Sequence, residues 1–447
     1  MSASLRENRI TAFSRPSARR SLNGYELAAI VALAIAGTLG MVWAKSWQVT
    51  LDDYGAEALR PLNALLHAHI GLFVRIAPSY GPSLLLRAPF ALIASLAHGT
   101  ELLVYRFSAL PCLLALAALA VWITPRLRAA GRGWFSILLT IAVCVLNPVT
   151  YYAMAIGHPE EALGAVLCVA AVLSALRGQS TWAGLLLGLA IANKQWAVVA
   201  VGPVLVALPG QRVRALLVAG GVAGALLGPL ALAAANVRDA SLRVTVSDGG
   251  TFFYPQQLWW FFGIHGHWVP AMRGQLMPGF RFPPGWLQGR AHILIGWIGL
   301  PLSYLAARRR IAREDALVLL AFLLLLRCAL DPWDLVYYPL PFIIALLSWE
   351  TLVKGRAPIA AAIATIVTYV VFELLPAHLS ANQEALSFIV PCVLALAALA
   401  FVVYRGGPGV EPQSTTTRSF VNLLSRRGSV SVTTVRSSIR TPSSPGR

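Results

Sequence analysis

The feature that most constrains the fold of this 447-residue chain is the recurrence of apolar stretches close to membrane-spanning length. They fall near 25–44, 102–123, 134–151, 160–176, 182–193, 196–208, 215–235, 291–307, 316–330, 337–352, 358–376 and 386–403. At ~1.5 Å of rise per residue such helices match a hydrocarbon core of ~30 Å. Hydrophobic residues make up 57% of the chain and charged ones only 12%, too little charge to cover a soluble protein of this length. The period-two alternation of an outer-membrane barrel is not the pattern here. The expectation is an all-α, polytopic transmembrane helical bundle of about twelve spans with two long extracytoplasmic loops.

Basic residues set the orientation. Arg6, Arg9, Arg15, Arg19 and Arg20 precede the first stretch. Arg126 to Arg132, Arg177, Arg212 with Arg214, Arg308 to Arg313, and Lys354 with Arg356 fill later turns. One assignment puts all of them, and both termini, in the cytoplasm of a cell whose plasma membrane the chain crosses many times. The net charge of +18 then serves topology and contact with anionic lipid headgroups, which argues against nucleic acid as a partner. Residues 1–24 are expected to be a disordered basic leader, 25–403 the transmembrane domain, and 404–447 a disordered cytoplasmic tail rich in Ser, Thr and Arg. The outer loops are 45–101 and 236–290. Within the first, the apolar piece 84–96, interrupted by Arg87, reads as lying along the interface, because a further crossing there would throw the Arg126 cluster outside.

All five cysteines sit in apolar segments without metal-ligand spacing and read as small core residues. The pairs His67/His69 and His265/His267 lack the further ligands of a metal site, so no metal and no other cofactor is expected.

Chemistry-bearing residues gather at the expected outer ends. Asp52 and Asp53 emerge after the first stretch, where a carboxylate is costly to keep without a role. If the donor is a sugar on a lipid phosphate, the leaving group is already an anion. One carboxylate must then take the acceptor's proton, and cations must stabilise the departing phosphate. Asp52 or Asp53 suits the first task, one acting as base and the other structural. Tyr54 and Glu57 follow where they could position sugar hydroxyls; a solvated helix cap is the plainer alternative. Lys194, one of three lysines among 36 basic residues, interrupts the apolar region 182–208 at Asn193-Lys194-Gln195-Trp196. Two short helices meeting there would hold a cation for phosphate, as opposed to a lysine snorkelling to the surface. Arg327 and Asp331, four residues apart, are either a helix-face ion pair or further phosphate and substrate contacts. Arg87 is a third candidate cation for the donor phosphate. Gly157-His158-Pro159-Glu160-Glu161 is an ordinary helix start, or else brings His158 and Glu160 to a cavity mouth to meet substrate. The aromatic run Phe252-Phe253-Tyr254 with Trp259 to Phe262 is an interfacial belt or a stacking surface for sugar rings.

Asp52-Asp53-Tyr54, Gly157-His158-Pro159-Glu160-Glu161 and the Gly188-to-Lys194 approach to the helix break resemble the GT-C superfamily of polyprenyl-phosphate-dependent glycosyltransferases. The likeness runs over most of 25–403 and is greatest to glycosyltransferase family 87, the mannosyltransferases of actinobacteria. Such proteins often carry Lys-Pro at the helix break, where this chain has Lys194-Gln195-Trp196, and Asn-Gln where it has His158-Pro159-Glu160. The resemblance implies an inverting transfer of a sugar, mannose first of all, from a polyprenyl-phosphate donor to a glycolipid or glycan acceptor outside the cytoplasm. It also implies that an acid of the first outer loop, here Asp52 or Asp53, is the base. The rival readings are a multi-pass transporter or lipid flippase, whose broken helices also carry embedded charge, and a non-catalytic scaffold.

Overall fold

In the computed structural model the described residues are 22–44, 53–233, 254–265, 281–282, 284, 286–287, 291–332 and 334–405. The basic leader, Asp52, most of the second outer loop with Phe252 and Phe253, Trp333 and the tail beyond Arg405 lie outside them.

Local sequence signals mark the helix starts. Helix α1 (Gly24–Trp43) opens on a capping box: Asn23 Oδ1 accepts from the Glu26 amide at 2.7 Å, and Glu26 Oε2 accepts from the Asn23 amide at 3.1 Å. After Asp53 a π-helical turn (Tyr54–Ala58) leads into α2 (Leu59–Leu66) and α3 (Ile70–Ile76). Helix α4 (Gly81–Leu96) contains the apolar piece 84–96 and packs against α5 (Glu101–Ala129), the longest helix at 29 residues. The stretch 134–151 is two helices, not one, because Asn147 caps α7 (Pro148–Ile156) behind the end of α6 (Trp134–Val145). Asparagine followed by proline is a standard helix start, and it interrupts an otherwise uniform apolar run. Helices α8 (Glu160–Leu176) and α9 (Ser180–Asn193) follow, then a 3-10 turn (Gln195–Ala200) with α10 (Val201–Ala207), and α11 (Arg212–Ala233). Beyond the second loop come α12 (Ala291–Arg308), α13 (Ala316–Leu330), α14 (Leu340–Ser348), α15 (Ile359–Tyr369) and α16 (Ala381–Tyr404).

Among the described residues six segments are long and apolar enough to cross a membrane: Gly24–Trp43, Glu101–Ala129, Trp134–Ile156, Arg212–Ala233, Ile359–Ala377 and Ala381–Tyr404. The protein is an all-α membrane protein. Its short strands, β1 (Ile264–His265) and β2 (Arg281–Phe282), make one antiparallel pair in the second loop. Helix α8 is central, packing on α5, α9, α10 and α14, and α13 is buried along almost its whole length. Glycines let α9 and α11 close up: a Cβ on Gly184 would stand 2.5 Å from the Ala215 carbonyl, and one on Gly188 2.7 Å from that of Ala219. Small residues four apart on a helix are how apolar helices approach closely without a hydrophobic driving force.

The basic turns collect at one end of the bundle. Arg128 of α5 reaches Glu26 of α1 at 3.0 Å, while Trp43, at the other end of α1, meets Phe107 near the start of α5, so the two helices are antiparallel. From the Arg128 end, Arg132 bonds the Gly355 carbonyl, Lys354 pairs with Asp315 at 3.8 Å, and Arg177 lies over the Trp122 ring. Ser180 donates to Gln211 at 2.8 Å, joining the turn before Arg212 to the turn after Arg177. Arg177 ends α8, and the candidate site residues stand at its other end.

Candidate active site

Four chain segments converge where α8 begins. Helix α7 ends at Gly157, whose φ of +115° is open to glycine and strained for other residues. A Cβ there would also collide with the Tyr54 backbone. That close approach brings the first-loop turn carrying Asp53 against the turn carrying His158. The π-helical turn behind Asp53 is a geometry that recurs at functional sites, where an extra residue re-aims a side chain. Helix α9 stops at Asn193, which donates to the Glu160 carbonyl at 2.9 Å, and Lys194 follows in extended backbone, outside any helix.

The side chains form a ladder of alternating charge. His158 Nε2 stands 3.1 Å from Asp53 Oδ2, and His158 Nδ1 stands 2.7 Å from Glu160 Oε1. Lys194 Nζ lies 3.0 Å from the same Glu160 oxygen and 3.6 Å from Glu161 Oε1. Arg87 reaches Glu160 Oε2 at 2.9 Å and holds Ser108 through its carbonyl and hydroxyl oxygens. Arg87 and Glu160 are both fully buried; Lys194 is 16% exposed and Asp53 44% exposed. Buried charges persist when each has its counter-ion; Arg87, His158 and Lys194 share Glu160, while Glu161 has Lys194 only at 3.6 Å and no hydrogen bond on either oxygen. Of the carboxylates bonded to His158 and Lys194, Asp53 is the open one, and Glu57 beside it is exposed as well.

Aromatic rings wall the ladder. Tyr80 lies under Lys194, with the ammonium 4.4 Å from its ring centroid, and donates to Glu57 Oε2 at 2.7 Å. Tyr80 also meets His158 edge-on at 5.6 Å, and the Tyr337 ring lies tilted against His158 at 5.1 Å. Arg327 stacks over Tyr338 at 4.3 Å and over Trp196, two residues past Lys194, at 5.4 Å. His158, in the turn between α7 and α8, titrates at about 9: burial and the Lys194 ammonium lower its proton affinity, and Glu160 and hydrogen bonds to Asp53 and Glu160 raise it further.

Asp53, Glu57, His158, Glu160, Lys194 and Arg87 therefore meet in one cluster. Arg87 has its guanidinium hydrogen-bonded to Glu160 and to both oxygens of Ser108. Glu160, expected to meet substrate, is enclosed by three cationic partners. Tyr54 is fully buried with its ring 4.4 Å from that of Tyr105. Arg327 and Asp331 are buried and 3.9 Å apart, the ion-pair alternative. Sequence reasoning missed Tyr80 and Ser108, which no spacing or motif marks out. Glu161, beside Lys194 and buried, was visible only as part of a helix start. Of the aromatic run, Trp259 donates to the Leu330 carbonyl at 2.9 Å and Trp260 to Asn382 at 2.9 Å, while Phe261 and Phe262 are exposed.

The fold and site together are an all-α membrane bundle with a charge-paired cluster at one end of its central helix. Residues 80–330, more than half the chain, match the model of glycosyltransferase family 87. The chain belongs to that family and is a GT-C type membrane glycosyltransferase. The matched stretch carries Arg87, His158, Glu160, Lys194 and Arg327; Asp53 precedes it. No curated protein matches the chain. Family membership implies a sugar donor and an acceptor, and it sets aside the transporter, flippase and scaffold readings.

Proposed function

We propose that the protein moves a hexose, mannose first of all, from a polyprenyl-phosphate donor to a hydroxyl of a glycolipid or glycan acceptor, with inversion at the anomeric carbon. Asp53 takes the proton of the acceptor hydroxyl, whose oxygen forms the new bond to the sugar's C1. The old C1–O bond breaks, and its electron pair leaves with the lipid phosphate, which needs no protonation. Lys194 is the cation assigned to that phosphate, since at 16% it is the most exposed of the three buried cations near the break, against 6% for Arg327 and 0% for Arg87. Arg87 and Arg327 act from behind it, holding Glu160 and the Trp196 segment. Glu57 and His158 line the approach from the Asp53 side.

The observation that carries this reading is the half-exposed Asp53 carboxylate at the rim of an otherwise buried, charge-balanced ladder. Its position at the end of the bundle away from Arg128, Arg177 and Lys354 supports an extracytoplasmic site, by the tendency of basic turns to stay inside. On this reading both termini are cytoplasmic, residues 25–403 form the catalytic domain, and the membrane is the plasma membrane. The test is to reconstitute the purified protein in vesicles with labelled polyprenyl-phosphate mannose and an extract of membrane glycolipids. A labelled glycolipid with inverted linkage is the expected result. Transfer from a nucleotide sugar and none from the lipid donor would overturn the donor assignment.

A further inference from the structure

The reading of Asp53 as base leaves His158 without a part in the chemistry, although its Nε2 lies 3.1 Å from the Asp53 carboxylate. Its geometry is built on both sides. Glu160 accepts at Nδ1 at 2.7 Å, which fixes that nitrogen as a donor, and Glu160 is itself held by Arg87 at 2.9 Å and Lys194 at 3.0 Å. The imidazole is faced by Asp53 from the first loop, Glu160 from α8, Lys194 at 3.4 Å from the break after α9, Tyr80 ahead of α4 and Tyr337 ahead of α14. The two rings leave it little room to turn.

We infer that His158 is a positioning residue for transfer: its Nε2–H holds Oδ2 of Asp53 so that the other carboxylate oxygen is presented to the acceptor hydroxyl. The inference rests on the transferase reading with Asp53 as base. An exposed carboxylate on a short side chain otherwise samples several rotamers, and misplacement of a base by about 1 Å costs on the order of 10²-fold in rate. A buried carboxylate that fixes the far nitrogen of an imidazole is a recurring way to orient such a group. The proton taken from the acceptor stays on Asp53 until the exposed side returns it to water; His158 neither gains nor loses one during transfer. Because the imidazole titrates at about 9, the doubly hydrogen-bonded, protonated form prevails at neutral pH and is lost as pH rises through that value.

The test uses full-length protein in nanodiscs with polyprenyl-phosphate mannose, comparing wild type, His158→Ala, His158→Gln and Asp53→Asn for kcat, donor KM and pH profile. His158→Ala should lower kcat by about 10²-fold with donor KM within about twofold. His158→Gln, whose amide nitrogen falls near the Nε2 position and donates without a charge, should recover about tenfold of that loss. The wild-type rate should fall above about pH 9, and His158→Gln should lack that fall. A His158→Gln profile superimposable on wild type, or a loss carried wholly by donor KM, overturns the inference. If His158→Ala does not fold, the glutamine profile decides alone. An inactive Asp53→Asn with His158 variants at wild-type kcat refutes this inference while leaving the base in place. An Asp53→Asn variant that still transfers removes the base reading itself.

Discussion

Replacing Glu160 by Gln probes the ladder at its most connected rung. The carboxylate accepts from Arg87 at 2.9 Å through one oxygen, and from His158 at 2.7 Å and Lys194 at 3.0 Å through the other. A glutamine cannot satisfy that set: whichever way the amide is turned, its NH2 faces a cationic N–H. At 2.9 Å and an effective dielectric of ~20, each lost charge pair represents about 6 kcal/mol of attraction. The desolvation that accompanied burial offsets part of this, and breaking a buried pair by removing one partner costs ~3–5 kcal/mol. Glu160→Gln should therefore lose ~3–5 kcal/mol of stability, most of it from the stranded Arg87. Arg87→Met in the same chain removes the stranded cation, leaving Lys194 beside Glu161 and His158 beside Asp53. The double variant should be more stable than the sum of the single losses by at least ~2 kcal/mol. Unfolding by SDS in mixed micelles, followed by tryptophan fluorescence, measures all three without substrate. Strictly additive losses, or a Glu160→Gln protein as stable as wild type, would refute the compensated ladder.

Two further outcomes follow from the same geometry. Gly157→Ala should cost on the order of 1–3 kcal/mol for the left-handed backbone, and should cut transfer sharply because the methyl pushes the Tyr54 backbone, and Asp53 with it, away from His158; stability and kcat measured on one preparation check this. Lys194→Ala should raise the donor KM by about tenfold or more while leaving affinity for the acceptor unchanged, and an unaltered donor KM counts against the phosphate role.

Much of the fold was legible wherever one local signal decided it. The stretches 160–176 and 316–330 coincide with α8 and α13 because Pro159-Glu160-Glu161 and Asp331-Pro332 mark their ends. The break at Lys194 could be read from a lysine between apolar runs, since a helix cannot keep such a group in hydrocarbon without bending toward a partner. The partner's identity could not. Arg87 and Glu160 are 73 residues apart, and nothing in either segment names the other. Arg87 read as a cation for phosphate, and the carboxylate it meets appears only when packing brings α4 against α5 and Glu160 of α8 to its guanidinium. The pair Asp52-Asp53 was singled out by its place at the exit of α1, with no choice between the two. The hold of His158 on Asp53 depends on Gly157 and a π-helical turn at Tyr54–Ala58, and no sequence pattern marks that turn.

The central claim is that a proton leaves the acceptor for Asp53 in a cluster facing away from the cytoplasm. The most direct measurement is the initial rate of transfer from polyprenyl-phosphate mannose by Asp53→Asn and by Asp52→Asn, in vesicles with the Arg128 end of the protein sealed inside and substrates supplied only outside. The account predicts that Asp53→Asn is folded and loses ~10³-fold or more in kcat, with activity in Asp52→Asn retained. Wild-type rates in Asp53→Asn, or transfer only when substrates are enclosed with the Arg128 end, would contradict it.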